Sequence, residues 1–339
     1  MRPRLHEVAR LAGVSEATVS RVLNGKRGVA DDTRATVLRA LGDLGYDESH
    51  VPAVSRATVV GIISPELDNP IFPALAQAVE ERLARLGYTA VLGTATTDTA
   101  QEGDLIELLV GRGVAGMVCV SGRHADTSAD QSLYALLVEK QIPVVFVNGA
   151  ASVPGIPSVS CDERAAARLA VEHLVALGHR KIGCVVGPRR YVPSQAKTEG
   201  YLRAMKDALG WADESLVIES VFTVEGGHAG AAPLLERGVT AIVAGSDLMA
   251  LGVIRAARDW SRRVPEDVAV VGYDGTPLTA FFDPALTTVR QPVRAMGARV
   301  AETLVDGING LPHAAPPHSY LFAPELVVRR STGPPPKRS

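Results

Sequence analysis

The segment from residue 5 to residue 24, LHEVARLAGVSEATVSRVLN, most constrains what this chain can fold into. Its first half places apolar residues at three- and four-residue spacing, which predicts one buried helical stripe. Gly13 then allows a tight turn, and Ser15 is a favourable N-cap that can accept a backbone N–H. Glu16 places negative charge near the positive end of a second helix that starts at about Ser15. The segment is therefore predicted to form two short helices joined by a tight turn.

The predicted second helix has one apolar face and one polar face. Val19, Val22 and Leu23 can pack on the first helix, and the opposite face then carries Glu16, Ala17, Ser20, Arg21 and Asn24. Such a face suits the major groove of DNA, where arginine binds guanine and small polar groups reach base edges or phosphates. Helix-turn-helix proteins present the start of their second helix to the bases. Glu16 and Ala17 are therefore the residues predicted to distinguish one base pair from another. An ordinary helical hairpin with a solvated polar face is the alternative.

The distribution of charge favours DNA binding. Residues 1–29 contain six basic and two acidic residues, a net charge of +4, whereas the whole chain carries −2. A localised basic patch on a near-neutral protein is what contacts to phosphates require. Residues 31–45 add a third predicted helix, with Val37, Leu38, Leu41 and Leu44 as its apolar stripe and Gly45 as its stop. Residues 1–46 are therefore predicted to form a DNA-binding headpiece.

The run from Leu5 to Asn24, followed by TRATVLRALGDLGY, resembles the headpiece of the lactose-repressor (LacI/GalR) family of bacterial transcription regulators. The resemblance implies that Glu16, Ala17 and Arg21 contact operator bases. It also implies phosphate-contacting or helix-ordering roles for Ser15, Thr18, Ser20 and Asn24. Arg4 and His6 complete the predicted DNA-binding set in this segment, although simple solvation is an equal alternative for His6.

Residues 47–57, DESHVPAVSRA, are predicted to be a linker. In the resembled family this stretch carries an Asn-x-x-Ala-Arg-x-Leu signature, which implies a hinge helix that wedges its leucine into the minor groove. This chain departs from that signature, because Pro52 lies where the helix would run and only Val51 or Val54 could act as the wedge. Arg56 can still reach a phosphate. A flexible tether and an ordered hinge therefore both remain open.

Residues 58–330 alternate short β-branched runs with helix-length amphipathic stretches, beginning VVGIIS, IFPALAQAVEERLARLG and YTAVLG. This repeated βαβ pattern predicts an α/β fold, with two open parallel sheets flanked by helices behind the helix-turn-helix headpiece. The further predicted strands are 115–121, 143–148, 181–186, 217–220, 240–244 and 268–273. Together they predict a two-lobed core, and the resemblance to the lactose-repressor family implies that this core, like that of periplasmic binding proteins in its fold, binds the effector and dimerises. Residues 331–339 remain as a tail.

Polar and aromatic residues follow several of the predicted strands. Ligands bind beyond the carboxyl ends of parallel strands, so two facing lobes would place these residues around one cleft. The strand-end candidates are Asp68, Asn69, Phe72, Asn148, Ser246 and Asp274. Fixed amides and carboxylates suit the hydroxyls of a sugar, and Phe72 and Phe222 are the predicted stacking surfaces. Asn and Asp also form turns and helix caps, and Asp247 is expected to be an N-cap rather than a ligand contact.

The segments HLVALGHRKIG, SDLMALG, VPEDVAVVGYD and PALTTVRQP resemble the effector core of the same family. The resemblance implies pocket positions for Asn69, Phe72, Asn148, Lys197, Phe222, Ser246 and Asp274. Lys197 is a departure, because the family commonly has arginine there, and an exposed helix charge is the alternative. Ser246 likewise replaces a frequent asparagine. ELDNPIFPALAQAVEERLARLGY and the unusual linker are similar to maltose-operon regulators of actinobacteria, which implies a maltose-type sugar signal.

The remaining sequence features exclude other classes of protein. The basic start and the absence of a run of about 18 apolar residues argue against export and membrane insertion, so a cytoplasmic protein is expected rather than a sugar receptor. Cys119, Cys161 and Cys184 lack paired or metal-ligand spacing and are expected to be buried free thiols, with no metal and no cofactor. The tripeptide Glu225-Gly226-Gly227 is too weak a match to a phosphate-binding loop to indicate an enzyme.

These features together predict a DNA-binding transcription regulator controlled by a small sugar. A symmetric homodimer would place two headpieces on an inverted-repeat operator. Sugar binding would change the pose of the two lobes and with it the affinity for the operator. An inducer and a corepressor are both allowed. The tail PPPKRS has no leucine heptads, so no four-chain assembly through the C-terminus is expected.

Overall fold

A computed structural model describes residues 5–23, 29–44, 58–95, 99–149, 153–311 and 319–336 of the chain. The chain divides into two compact units, one up to Thr58 and one from Val59 onward. The predicted linker, residues 47–57, lies outside the described residues.

The first unit contains three helices: α1 (Leu5–Ala12), α2 (Glu16–Leu23) and α3 (Asp31–Asp43). Gly13 turns the chain between α1 and α2 with a φ of +67°, a conformation that glycine adopts without strain. The helices bury one small apolar cluster, which comprises Val8, Ala9, Ala12, Val19, Val22, Val37, Ala40 and Leu41. Leu44, predicted to belong to the stripe of the third helix, is instead exposed beyond its end.

The second unit contains two lobes, each built on a six-stranded sheet. The strands of lobe 1 are β1 (Val59–Ser64), β2 (Thr89–Thr94), β3 (Gly116–Val120), β4 (Val144–Val147), β5 (Ser158–Cys161) and β11 (Ser319–Phe322). Their order is β11-β5-β4-β3-β1-β2, and every pair is parallel. The helices of this lobe are α4 (Ile71–Arg85), α5 (Thr99–Gly111), α6 (Ser132–Glu139) and α11 (Val293–Ile308).

Lobe 2 repeats this plan with one difference at its edge. Its strands are β6 (Ile182–Val186), β7 (Val217–Glu219), β8 (Ala241–Ala244), β9 (Ala269–Asp274), β10 (Thr287–Arg290) and β12 (Glu325–Val327). The order is β12-β10-β9-β8-β6-β7, and β12 runs antiparallel to β10. Its helices are α7 (Glu163–Ala176), α8 (Val192–Leu209), α9 (Val224–Glu236) and α10 (Asp247–Asp259). The α/β fold with two sheet lobes is therefore confirmed, although the sheet of lobe 2 is not purely parallel.

The chain passes between the lobes three times. It leaves lobe 1 after β5, returns after β10 through α11 and β11, and crosses again to end on lobe 2 with β12. Residues 331–336, expected to be part of a tail, belong to this last passage. The Ser331 hydroxyl is fully buried and donates to the Val270 carbonyl at 2.6 Å. The ordered core therefore extends past residue 330.

The three cysteines are buried free thiols, as expected from the sequence. Burial raises the pKa of the Cys161 and Cys184 thiols to about 12. In the described part of the chain, no helix is long and apolar enough to cross a membrane.

Candidate nucleic-acid interface and ligand cleft

The candidate DNA-reading face is the outer side of α2. Val19 and Val22 are buried against the other two helices, whereas Ser15, Glu16, Ala17 and Arg21 are exposed. The Ser15 hydroxyl accepts from the backbone N–H of Thr18 at 3.2 Å and lies 2.9 Å from the Thr18 hydroxyl. This is an N-cap, which satisfies one of the free N–H groups of the first turn. The helix consequently begins at Glu16 with its exposed residues on one face.

The other predicted DNA-binding residues are only partly described. Thr18 and Ser20 are half-buried, and His6 is exposed on α1, where its Nε2 lies 3.9 Å from a Glu7 carboxylate oxygen. The remaining members lie outside the described residues: Arg4, Asn24, Val54 and Arg56. The structure thus places six predicted residues on α2 and its N-cap, with His6 on the preceding helix.

A cleft of about 410 Å³ lies between the two lobes of the core. Seven of the eight sequence-predicted effector residues line it: Asn69, Phe72, Asn148, Lys197, Phe222, Ser246 and Asp274. The first three come from lobe 1 and the other four from lobe 2. Asp68 is exposed and does not belong to the lining, although its neighbour Asn69 is buried and does. The carboxyl ends of the two sheets therefore face one cavity.

Three polar residues of the lining adopt backbone conformations that L-residues seldom use. The φ angles are 45° at Ser121, 60° at Asn148 and 114° at Asp274, each directly after or at the end of a strand. Non-glycine residues in such conformations cost free energy and persist where the surrounding structure holds them. All three of these strand-end residues belong to the lining of the cleft.

Lys197 forms a buried ion pair at the floor of the cleft. Its Nζ lies 2.6 Å from Oε2 of Glu163 and 3.9 Å from the centroid of the Tyr273 ring. The alternative of an exposed helix charge is therefore wrong. Helices α7 and α8 approach closely at Gly200, where a Cβ would come within 2.6 Å of the Arg164 carbonyl oxygen. This contact of the two helices brings the Lys197 ammonium beside the Glu163 carboxylate at the start of α7.

Asp274 is a second buried carboxyl group of the lining. Its Oδ1 accepts a 2.8 Å hydrogen bond from Nε2 of Gln291. Burial and the nearby charge of Asp247 raise the pKa of Asp274 well above its ordinary value, and the positive charge of Lys197 only partly opposes this. The charged form of Asp274 is therefore disfavoured in the folded chain. Groups with such perturbed pKa values are frequent at binding sites.

Ser246, which lines the cleft, also takes the capping role that the sequence assigned to Asp247. The Ser246 hydroxyl accepts from the backbone N–H of Met249 at 3.1 Å, so Ser246 is the N-cap of α10. Asp247 is buried behind it and accepts from the Thr288 hydroxyl at 2.6 Å and the Thr276 backbone N–H at 2.8 Å. Burial raises the pKa of Asp247 to about 6. The expectation that Asp247 caps the helix is wrong, because its carboxylate instead links α10 to the loop after β9 and to β10.

Oδ1 of Asn148 and Oε1 of Gln291 are buried oxygens of the lining that accept no hydrogen bond from the described residues. A buried acceptor without a donor costs about 1–3 kcal/mol, so each favours a ligand that donates a hydrogen bond. Phe72 and Phe222 are both half-buried at the cleft. The Phe222 ring lies directly over Gly187, where a Cβ would be 2.0 Å from it. The lining thus combines hydrogen-bond acceptors with fixed aromatic surfaces.

The rim of the cleft is bridged by contacts between the lobes. Nε of Arg190 in lobe 2 lies 3.0 Å from Oδ2 of Asp126 in lobe 1. The backbone N–H of Thr127 donates to the Arg190 carbonyl at 2.8 Å, and Asp126 forms a β-bridge with Tyr191. Arg190 and Tyr191 also line the cleft. A change in the relative pose of the lobes must break or rebuild these contacts.

Several lining residues were not predicted from the sequence, chiefly Glu163 and Gln291. Both follow strands that the pattern does not reveal, because β5 and β10 each have only four residues and contain serine or threonine. The strand-end rule that identified Asn148 and Asp274 would have identified these two as well, had the strands been recognised.

Comparisons with known proteins agree with this architecture. Residues 4–49 match the family model "Bacterial regulatory proteins, lacI family", and residues 171–332 match the "Periplasmic binding protein-like domain". The HTH-type transcriptional regulator MalR of Streptomyces coelicolor is 53% identical over 336 residues, covering 98% of this chain and 97% of that protein.

Two solved structures show the same fold. The transcriptional regulator CelR in complex with cellobiose is similar with a TM-score of 0.74 and 35% identity, covering 97% of this chain and all of that one. The lac repressor dimer bound to operator and the anti-inducer ONPF is similar with a TM-score of 0.72 and 26% identity, covering 98% and 100%. The chain therefore belongs to the lacI family of bacterial transcription regulators.

Proposed function

We propose that this regulator is a repressor of sugar-utilisation genes, and that a maltose-type sugar bound in the cleft controls its affinity for operator DNA. The proposal rests on the cleft, in which strand-end amides, a buried ion pair and two aromatic rings surround one cavity. Its volume lies in the range of about 300–1,000 Å³ that small-molecule sites occupy. The similarity to MalR along nearly the whole chain supports the choice of a maltose-type sugar.

A sugar suits the chemistry of this lining. The unpartnered oxygens of Asn148 and Gln291 accept hydrogen bonds, and sugar hydroxyls donate them. The half-buried rings of Phe72 and Phe222 offer apolar faces to a pyranose ring. Lys197 and Asp274 at the floor complete a set of directional partners, and Asn69 and Ser246 belong to the same proposed site.

The proposed switch operates through the relative pose of the two lobes. A ligand that contacts both lobes stabilises one pose, and operator affinity changes by the difference in its binding energy for the two poses. The contacts of Asp126 and Thr127 with Arg190 at the rim are the bonds that such a change must alter. In the favoured scheme the sugar weakens operator binding, whereas a corepressor or another sugar is the alternative.

We further propose a homodimer that binds an inverted-repeat operator in the cytoplasm. Leu278 and Phe281 support a self-association surface, because 58% and 84% of their respective surfaces are exposed on one short 3₁₀ turn (Pro277–Phe281). Large exposed apolar groups are typical of interaction sites. Two-fold symmetry would space two headpieces to match two half-sites. The proposed DNA contacts are those predicted from the sequence: Arg4, His6, Ser15, Glu16, Ala17, Thr18, Ser20, Arg21, Asn24, Val54 and Arg56.

The proposed response to sugar is tested by a gel-shift assay at fixed salt. An operator selected from a random inverted-repeat pool is titrated with the full chain in the presence of maltose, maltotriose, cellobiose, ribose or lactose. We expect maltose or maltotriose to lower the apparent affinity, with the other sugars far less effective. If no maltose-type sugar alters the shift, the maltose assignment is wrong.

Replacing Arg21 with alanine is expected to weaken specific operator binding by about 1–3 kcal/mol, which is roughly 5- to 150-fold, because a base-edge arginine contributes about that much. Sequence preference at the contacted base pair should relax at the same time. Arg39→Ala is the matched control, since Arg39 is exposed on α3 and its loss changes the headpiece charge equally. Unchanged affinity and preference in Arg21→Ala would remove Arg21 from the proposed interface.

A further inference from the structure

The lining of the cleft contains more carboxyl groups than cationic groups. Its described lining contains two cations, Arg190 and Lys197, and three carboxyl groups, Glu66, Glu163 and Asp274. Both cations are already paired, Lys197 with Glu163 at 2.6 Å and Arg190 with Asp126 at 3.0 Å. Among the described residues of the lining, no cation is therefore left to neutralise an anionic ligand.

The pair at the floor is the more important of the two, because it is nearly removed from water. Only 9% of the Lys197 side chain and 8% of the Glu163 side chain are exposed, while Arg190 at the rim is half exposed. The Lys197 ammonium also lies over the Tyr273 ring, which occupies another of its faces. An anion that recruited Lys197 would have to separate it from Glu163 and leave that carboxylate buried without a partner, which is costly.

The uncharged polar groups of the lining favour the same class of ligand. Oδ1 of Asn148 and Oε1 of Gln291 are acceptors without donors, and a neutral polyol supplies O–H donors to both. A phosphate dianion supplies only acceptors, and it would lie close to the Glu163 carboxylate that pairs with Lys197. Like charges brought together in a binding site are an effective device against the wrong ligand.

We infer that the cleft selects uncharged sugars and rejects their phosphorylated or carboxylated derivatives, and that Glu163 sets this selection by occupying the Lys197 ammonium. The inference rests on the proposed function, in which the cleft binds a sugar. It adds the charge class of that sugar and a specificity residue that lies outside the set predicted from the sequence. The cell's free sugar, rather than a phosphorylated intermediate, is then the signal.

The test is isothermal titration calorimetry of the full chain with matched pairs of sugars. Maltose is compared with maltose 6'-phosphate, trehalose with trehalose 6-phosphate, and glucose with glucose 6-phosphate. Whichever neutral sugar binds, we expect its phosphorylated partner to bind at least about 100-fold more weakly. A phosphorylated sugar that bound as tightly as its neutral partner would overturn the inference, while sugar control of DNA binding would stand.

The role of Glu163 is tested by Glu163→Gln, which keeps the size of the side chain but removes its charge. We expect the phosphorylated member of the pair to gain at least about 10-fold relative to the neutral member, because Lys197 becomes available. Glu199→Gln is the control, since Glu199 forms an exposed ion pair with Arg164 on the same two helices. Glu163→Asp retains the charge and should retain the selection. This second variant distinguishes the loss of the charge from a general disruption of the fold at position 163.

The outcomes separate the two proposals. If maltose does not bind, and another neutral sugar binds more tightly than its phosphorylated partner, the maltose assignment fails but the selection by charge is supported. If Glu163→Gln and Glu199→Gln both keep the parent ratio of affinities, Glu163 is not the specificity residue.

Discussion

Replacing Lys197 with methionine is expected to lower the free energy of unfolding of the core by about 3–5 kcal/mol, the usual cost of removing one partner of a buried ion pair. The methionine fills similar space, so the loss arises from the charge of Glu163 and not from a cavity. It also leaves Asp274 without the positive charge that opposes the increase in its pKa. Chemical denaturation followed by circular dichroism measures the change.

Lys206→Met is the matched control for this result. Lys206 lies on the same helix, α8, but is exposed, so we expect a change within about 0.5 kcal/mol. Equal stability of the two variants would mean that the ion pair at the floor of the cleft does not contribute to the folded state. The Lys197 variant should also lose sugar binding, because a hydrogen-bond donor of the proposed site is lost.

Replacing Asp274 with asparagine is expected to have the opposite effect on stability and the same effect on binding. The pKa of Asp274 in the folded chain is raised above its value in the unfolded chain, which is about 3.9. A raised carboxyl pKa means that the folded state loses stability as pH rises from about 4 through the folded value. Asparagine removes this loss and can keep one hydrogen bond to Gln291. The variant should therefore be more stable than the parent at pH 8, with a gain that shrinks toward pH 4.

Thermal unfolding at several pH values, with Asp306→Asn as an exposed control, measures this effect. Sugar affinity, measured by calorimetry, should fall in Asp274→Asn because one of the two carboxyl oxygens in the cleft is lost. A gain in stability that did not depend on pH would show that Asp274 is not a destabilised carboxylate. Unchanged sugar affinity would remove it from the proposed site.

The sequence predicts the headpiece and the long elements of the core well, because their apolar residues recur with a clear period. Helix α2 and strands such as β1 are examples, since each buries a continuous apolar stripe or run. Strands β5, β10, β11 and β12 have three or four residues each, and three of the four contain serine or threonine. Such short strands are defined by their pairing partners, which local periodicity does not reveal.

The candidate cleft was predicted residue by residue and not as a network. Strand-end position was enough to identify Asn148 and Asp274, because the carboxyl ends of parallel strands converge. It gave no indication that Lys197 is buried, since its partner Glu163 lies 34 positions earlier and the two meet only when α7 packs on α8. Ser246 and Asp247 show the same limit, because either could cap α10 and only the packing of β10 decides between them.

Because the chain passes between the lobes three times, the order of its synthesis determines when each lobe can be completed. Helix α11 and strand β11 belong to lobe 1, yet they are encoded after almost all of lobe 2. While the ribosome is still translating the intervening residues, the first lobe lacks one edge of its sheet and the helix that packs on α4. Domains generally fold as they emerge from the ribosome. In this core, neither lobe is complete until the last sixth of the core has left the exit tunnel. A truncation near residue 290 would therefore disable the lobe made first as well as the lobe made last.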